Sequence, residues 1–248
     1  MEFRIENSQI AVFFPRIPTI RRKAFELEEL LSARFLTPFS MIQVPDEAPE
    51  DIPRIQAQTK NGHTTLTISQ SNISLITNFN GGFESDWSKV NDYLIKNFDL
   101  IYEIARKVGA SSFLYTGFTV NLFFPFKNEG EVMQHINRIF FPDKRLLNLY
   151  EFNFRFVQRK GDVYFVNYML SSTVKYLSQG IPLRPVPAYL IPSEFGITLN
   201  IDINDRYGSN FEREYLSNQT NGTKLIEYMN EVVGTKIEKL MKEGDINV

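Results

Sequence analysis

The order in which apolar spacing switches between a period of two and a period near 3.6 constrains this chain more than any single motif does. Gln9 to Phe14 reads as a strand stopped by Pro15, and residues 23–35 place Ala24, Leu27, Leu31 and Phe35 on one helical face. The acidic, proline-rich stretch Val44 to Asp51 reads as a loop. Beyond it, Arg54 to Thr59 and Thr64 to Ser69 flank Asn61-Gly62, a pair favoured in two-residue type I′ hairpin turns. Ile73 to Phe79 gives a further strand. Ser85 is placed to cap a helix carrying Trp87, Val90, Leu94, Ile101, Ala105 and Val108 at helical spacing, with Gly109 where a left-handed closing residue belongs.

The pattern then recurs. Ser112 to Phe124 reads as a strand and Glu129 to Phe141 as a helix. Phe152 to Gln158 and Val163 to Leu170 form a hairpin around Lys160-Gly161-Asp162, and Ile197 to Ile203 alternates as a strand. Ser209-Asn210-Phe211-Glu212 has the form of a capping box opening a last helical region to about Lys242, broken near Asn221-Gly222. Each half therefore reads β-α-β-β-β-α. Ala11-Val12-Phe13-Phe14-Pro15 also matches Asn121-Leu122-Phe123-Phe124-Pro125. In a chain with 22 Phe that match is expected by coincidence, so the case for duplication rests on element order. The expectation is an α+β fold of two pseudo-repeated halves, residues 1–110 and 111–248, with antiparallel sheets and long packing helices. The halves form either two lobes or one continuous domain. Helical spacing predicts that Trp87, Leu94, Ile101, Leu225, Met229, Val232 and Leu240 are core.

Composition removes several function classes. No cysteine is present, which excludes disulfides, thiolate metal sites and a cysteine nucleophile. With 27 basic and 29 acidic residues the net charge is −2, so no overall electrostatic footprint for nucleic acid or an anionic membrane exists. Met1 to Asn7 is acidic and lacks an apolar run, and no window is apolar enough to span a bilayer, so a cytoplasmic protein is expected. The aromatic share of 14% admits stacking platforms for bases or sugars, but core packing in a Phe-, Ile- and Asn-rich chain accounts for it better.

The catalytic motifs sought are missing. No dinucleotide fingerprint, P-loop, zinc-protease or nucleophile-elbow pattern occurs. Gly81-Gly82 lies between a strand and a helix but lacks the lysine and third glycine of a phosphate loop. Asp202, Asn204 and Asp205 echo a calcium loop without its bidentate glutamate, and a solvated turn explains them better. His63 and His135 have no acid partner in sequence. Neither catalytic residues, metal ligands nor a cofactor are therefore expected, and an enzyme is disfavoured.

Two stretches are candidates for binding. Gly180 to Pro192 holds Leu183, Arg184, Tyr189 and Ile191 among four prolines, an apolar, stiff segment that packs either on its own sheet or on a partner. Arg16, Arg21, Arg22 and Lys23, with Lys144-Arg145 from the second half, form a candidate patch for an anion or nucleic acid.

The strand hairpin, the run Ile73-Ser74-Leu75-Ile76-Thr77-Asn78-Phe79 and the helix led by Asp86-Trp87 resemble a sporadically distributed family of uncharacterised bacterial proteins of about this length, over residues 53–125. That resemblance implies no site residues; the family's patchy distribution points to an accessory module, of defence or toxin–antitoxin type. The doubled element order is similar to the duplicated TATA-binding-protein-like architecture. There paired phenylalanines wedge into the minor groove, which draws attention to Phe13-Phe14 and Phe123-Phe124. An acidic pI and the lack of a strongly basic face set this chain apart from that family. The expected function is non-enzymatic binding of a macromolecule, a protein in first place. Sheet-face nucleic-acid binding, or a small ligand or substrate held in a pocket between the sheet and helix layers, is the alternative.

Overall fold

The computed structural model describes residues 1–142, 149–177 and 190–245. Its elements in chain order are β1 (Arg4–Phe13), a 3-10 turn (Ile20–Lys23), α1 (Ala24–Leu31), β2 (Ser40–Met41), β3 (Pro53–Gln58), β4 (Thr64–Ser69) and β5 (Asn72–Asn78). A short 3-10 turn (Phe83–Ser85) leads into α2 (Trp87–Val108), followed by β6 (Tyr115–Phe126), α3 (Glu129–Phe140), β7 (Asn153–Lys160), β8 (Tyr164–Leu177) and β9 (Ile191–Asn204). The chain closes with α4 (Arg206–Phe211), α5 (Gln219–Glu231), a π-helical turn (Val232–Lys236) and α6 (Ile237–Glu243).

The strands form one sheet in the order β2-β3-β4-β5-β1-β6-β9-β8-β7, and every neighbouring pair is antiparallel. The fold class is α+β. β1 and β6 pair at the centre, so strands from both sides of residue 110 share a single sheet. Outward from that pair run β5, β4, β3 and β2 on one side and β9, β8 and β7 on the other.

Period-two alternation gives the sheet two unlike faces. In β6, Thr116, Phe118, Val120, Leu122 and Phe124 are buried, while Gly117, Thr119 and Asn121 between them are partly exposed. The buried set faces α2, which packs on β1 and β5, and α5, which packs on β6 and β9. In α2 the stripe Val90, Leu94, Ile101, Ala105 and Val108 closes this layer. Each fully buried aliphatic chain there stabilises the fold by about 1.5–3 kcal/mol. Leu94, Ile101, Leu225, Met229, Val232 and Leu240 are buried as their spacing requires.

Several local expectations are corrected. Trp87 is only half-buried, with its indole N–H donating to Asn230 Oδ1 (2.8 Å), because it sits in the first turn of α2. Asp86, one residue after Ser85, is the cap, its carboxylate accepting from the Lys89 N–H (3.2 Å). The 59–64 hairpin is not a two-residue type I′ turn. Thr59 and Thr64 close the loop (2.9 Å), Gly62 at φ +74° donates to the Thr59 carbonyl (2.8 Å), and the Asn61 side chain accepts from the His63 N–H (3.2 Å). That internal bond to the Asn61 side chain favours the longer loop.

Ser209-x-x-Glu212 caps nothing; it falls inside and just past α4, and the next helix is capped by Asn218, whose side chain accepts from the Asn221 N–H (3.0 Å). Gly222 does not break α5. It lies inside the helix, where a side chain has no room: an added Cβ would meet the Tyr102 hydroxyl at 2.7 Å. Ile191 belongs to β9 and not to the proline-rich excursion.

Candidate binding face

Opposite the helices, the alternate residues of the same strands form a second face. Residues paired across an antiparallel ladder share a side of the sheet. The register sets Gln9 beside Thr119, Thr119 beside Asp202 and Asp202 beside Asn167. Gln9 is exposed although β1 is a central strand, so nothing among the described residues covers the middle of this face.

Carboxamides hold the centre. Asn121 Nδ2 donates to Asn7 Oδ1 (2.6 Å), and Asn200 Nδ2 donates to Asn121 Oδ1 (2.8 Å). One row of amides therefore crosses β1, β6 and β9. Toward β8, Asp202 accepts from Asn167 Nδ2 (3.1 Å) and Asn204 Nδ2 (3.0 Å). Burial pushes the Asp202 carboxyl above its usual range, against the bonds from Asn204, Thr119 and Asn167 and the charge of Arg155. Hydroxyl pairs extend the pattern, Thr67 with Ser74 (2.8 Å) on one flank and Thr173 with Thr198 (2.8 Å) on the other.

The two Phe-Phe pairs divide between the faces. Phe14 and Phe124 are buried in the core, whereas Phe13 and Phe123 lie on the amide side at opposite ends. Phe13 stacks on Tyr115 (4.1 Å between centroids, 18° between planes), with the Arg206 guanidinium 5.4 Å from the Tyr115 centroid. Phe123 is sealed. Arg4 and Lys175 sit 5.1 and 3.9 Å from its centroid, and Gly196 leaves the space its ring fills, since a Cβ there would lie 2.4 Å from Phe123 Cζ. Those cations are neutralised in turn, Arg4 by Glu194 and Lys175 by Glu6 and Glu194. The Arg4 bond holds the Glu194 carboxyl below its usual range.

The basic turn is engaged within the molecule. Arg16 donates to Gln70 Oε1 (3.0 Å) and to the Asp46 carbonyl (2.9 Å). Arg21 pairs with the Asp46 carboxylate and donates to the Val44 carbonyl (2.5 Å), and Lys23 pairs with Glu26 (2.8 Å). Arg22 is exposed. The basic turn and the acidic loop thus hold each other. Leu183, Arg184 and Tyr189, like Lys144 and Arg145, lie outside the described residues; Ile191 is exposed, paired with Leu177, which is exposed too.

The echo of a calcium loop does not converge. Asp202 and Asn204 belong to the amide face, while Asp205 is wholly buried and accepts from Ser217 Oγ, Tyr215 Oη (2.6 Å) and the Thr116 N–H (2.6 Å). Burial pushes its carboxyl up, and it staples the segment after α4 to β6. Among the described residues no group of three or more acidic or histidine side chains is gathered as a metal would need, and no helix is long and apolar enough to cross a membrane.

The amide row went unseen in the sequence, although its signal was there. Thr119 and Asn121, and Asn200 and Asp202, are polar positions alternating with apolar ones, whereas Asn7 and Gln9 lie in the polar run Glu6 to Gln9. Only the register shows that they meet. Comparison of the chain with protein-family models, curated proteins and solved structures finds no match.

Proposed function

We propose that this is a binding protein, not an enzyme, and that the uncovered face of the sheet receives a protein partner. The amide row Asn7–Asn121–Asn200 carries this reading. Each carboxamide has two donors and an acceptor, and the row spends only part of them, leaving uncharged groups suited to peptide groups and polar side chains. Arg4 and Lys175 already hold carboxylates, so phosphates would find few free charges there. The exposed Tyr176, Leu177 and Ile191, where β8 and β9 run toward the proline-rich excursion, support a contribution from Leu183, Arg184 and Tyr189. The test is co-purification from the native host with a Gln9→Arg variant. The melting temperature should stay nearly unchanged and the partner should be lost; retention of the partner would overturn the reading.

Nucleic acid is the second reading, favoured by the half-exposed Phe13–Tyr115 stack beside Arg206. Salt-sensitive binding of a single-stranded oligonucleotide, lost in Phe13→Ala, would establish it. The two halves are also proposed to be a duplicated unit. The outward orders β1-β5-β4-β3 and β6-β9-β8-β7 support this. A superposition of residues 9–108 on 119–242 that pairs fewer than half of the strands would refute it.

A further inference from the structure

On the helix-covered side, near the β7 edge, α5 and the π-helical turn leave a cavity of about 430 Å³ against β7 and β8, with Lys160, Tyr168, Tyr228, Val232 and Lys236 in its walls. Three features set it apart from a packing gap. Its two ammonium groups share one carboxylate: Lys160 pairs with one oxygen of Glu231, and Lys236 lies 2.9 Å from the other. With Arg159 also in the wall, bonded to the neutral Tyr207, positive charge is left over. Tyr168 is 1% exposed, and its hydroxyl is buried with no hydrogen-bond partner. A buried donor left unmade costs about 1–3 kcal/mol, so an acceptor arriving here would be favoured. The wall also includes a π-helical turn, a local distortion that recurs at functional sites.

Gln158 and Arg159 add a polar and a second basic flank, and the rest of the wall is aromatic or aliphatic. Tyr168 stacks on Phe156 (4.7 Å, 15°), and Lys160 Nζ lies 4.0 Å from the Tyr228 ring centroid. A guest here meets aromatic rings and the Val166 and Val232 side chains together with the two ammonium groups and the Arg159 guanidinium. We propose that this cavity binds a small amphipathic anion, a carboxylate on an apolar or aromatic body. The incoming carboxylate takes up the charge that Glu231 leaves uncompensated on Lys160 and Lys236 and accepts from the Tyr168 hydroxyl. Burial and the Glu231 charge push that phenol up, so it remains a donor at neutral pH.

The cavity is on the other side of the sheet from the amide face, so the two proposals fail separately. The experiment is calorimetric titration of the full chain with benzoate, and with inorganic phosphate as the probe of charge without an apolar body. Wild type should bind benzoate saturably and phosphate more weakly. Lys160→Met with Lys236→Met should weaken benzoate roughly tenfold or more, as expected for lost charge-assisted bonds. Tyr168→Phe, which keeps the ring and its packing, should weaken it several-fold. No saturable benzoate binding by wild type, or equal binding by either variant, would overturn the assignment. So would phosphate binding as tightly as benzoate. Circular dichroism of each variant separates lost binding from lost fold.

Discussion

The two faces of the sheet are built from alternate residues of the same strands, yet they have opposite chemistry. On one side Phe118, Val120 and Leu122 of β6 disappear beneath helices; on the other Thr119 and Asn121 meet solvent. The helix-covered face is held by area removed from water, which is non-directional and tolerates volume-conserving change. The open face is held by directed bonds between amides, hydroxyls and one sunken carboxylate. Solvation alone would be served by lysine and glutamate, which are strongly hydrated. A row of neutral amides spanning three central strands is instead a surface of fixed donors and acceptors.

The largest expected effects break the comparison outright. Ile101→Ala or Leu122→Ala should cost about 2–5 kcal/mol, because each opens a cavity in a closed layer. Gln9→Ala on the open face should fall within about 0.5 kcal/mol of wild type. Denaturant midpoints of the variants give both. A costly Gln9→Ala would mean that the open face is itself covered.

Gly196→Ala is next. An added Cβ would lie 2.4 Å from both Phe123 Cζ and the Phe124 carbonyl oxygen, and a backbone atom in a paired strand cannot yield cheaply. The loss should be about 1–3 kcal/mol, as for other overpacked sites. Asn121→Ala removes the middle of the amide row and strands Asn7 and Asn200. Because both are partly exposed, water replaces much of what is lost, and about 1 kcal/mol is expected by chemical denaturation.

The smallest effect is a pH dependence of the layer that joins α3 to α6. His135 Nε2–H donates to the Met241 carbonyl (2.9 Å) while Nδ1 accepts from Arg138 (3.1 Å), so the ring is neutral in the fold. Burial holds its pKa below the usual 6.5, outweighing the bond to Met241, with the Arg138 charge acting in the same direction as burial. Its contribution is therefore complete above pH 6.5 and declines as the pH falls below it, where the unfolded chain takes up the proton first. Stability measured at about pH 7.5 and about pH 5.5 should differ less in His135→Gln than in wild type. An unchanged difference would assign the acid sensitivity to other groups.

What could be read from the sequence follows from the range of the physics involved. The stripe Val90, Leu94, Ile101 and Val108, and the closing Gly109 at φ +99°, are local and were legible. The cap moved by only one residue, from Ser85 to Asp86. The amide row was not legible, because Asn7, Asn121 and Asn200 meet only through pairing of strands more than a hundred residues apart in the first case. The charges of the basic turn and acidic loop were plain, but not that Arg16 and Arg21 would be consumed by Asp46 and its neighbours. Short-range periodicity names the layers; the register decides which side chains cooperate.

A rival to the open face exists on the helix side, where Phe25 of α1 is 84% exposed. Hydroxyl-radical footprinting of the full chain, free and bound to whatever co-purifies from its native host, compares the two directly. Met169, 39% exposed and opposite Asn200 on the amide face, is a sensitive reporter of one side, and Phe25 reports the other. The account predicts that binding protects Met169 and leaves Phe25 as reactive as before. Protection of Phe25 with Met169 unchanged would contradict it.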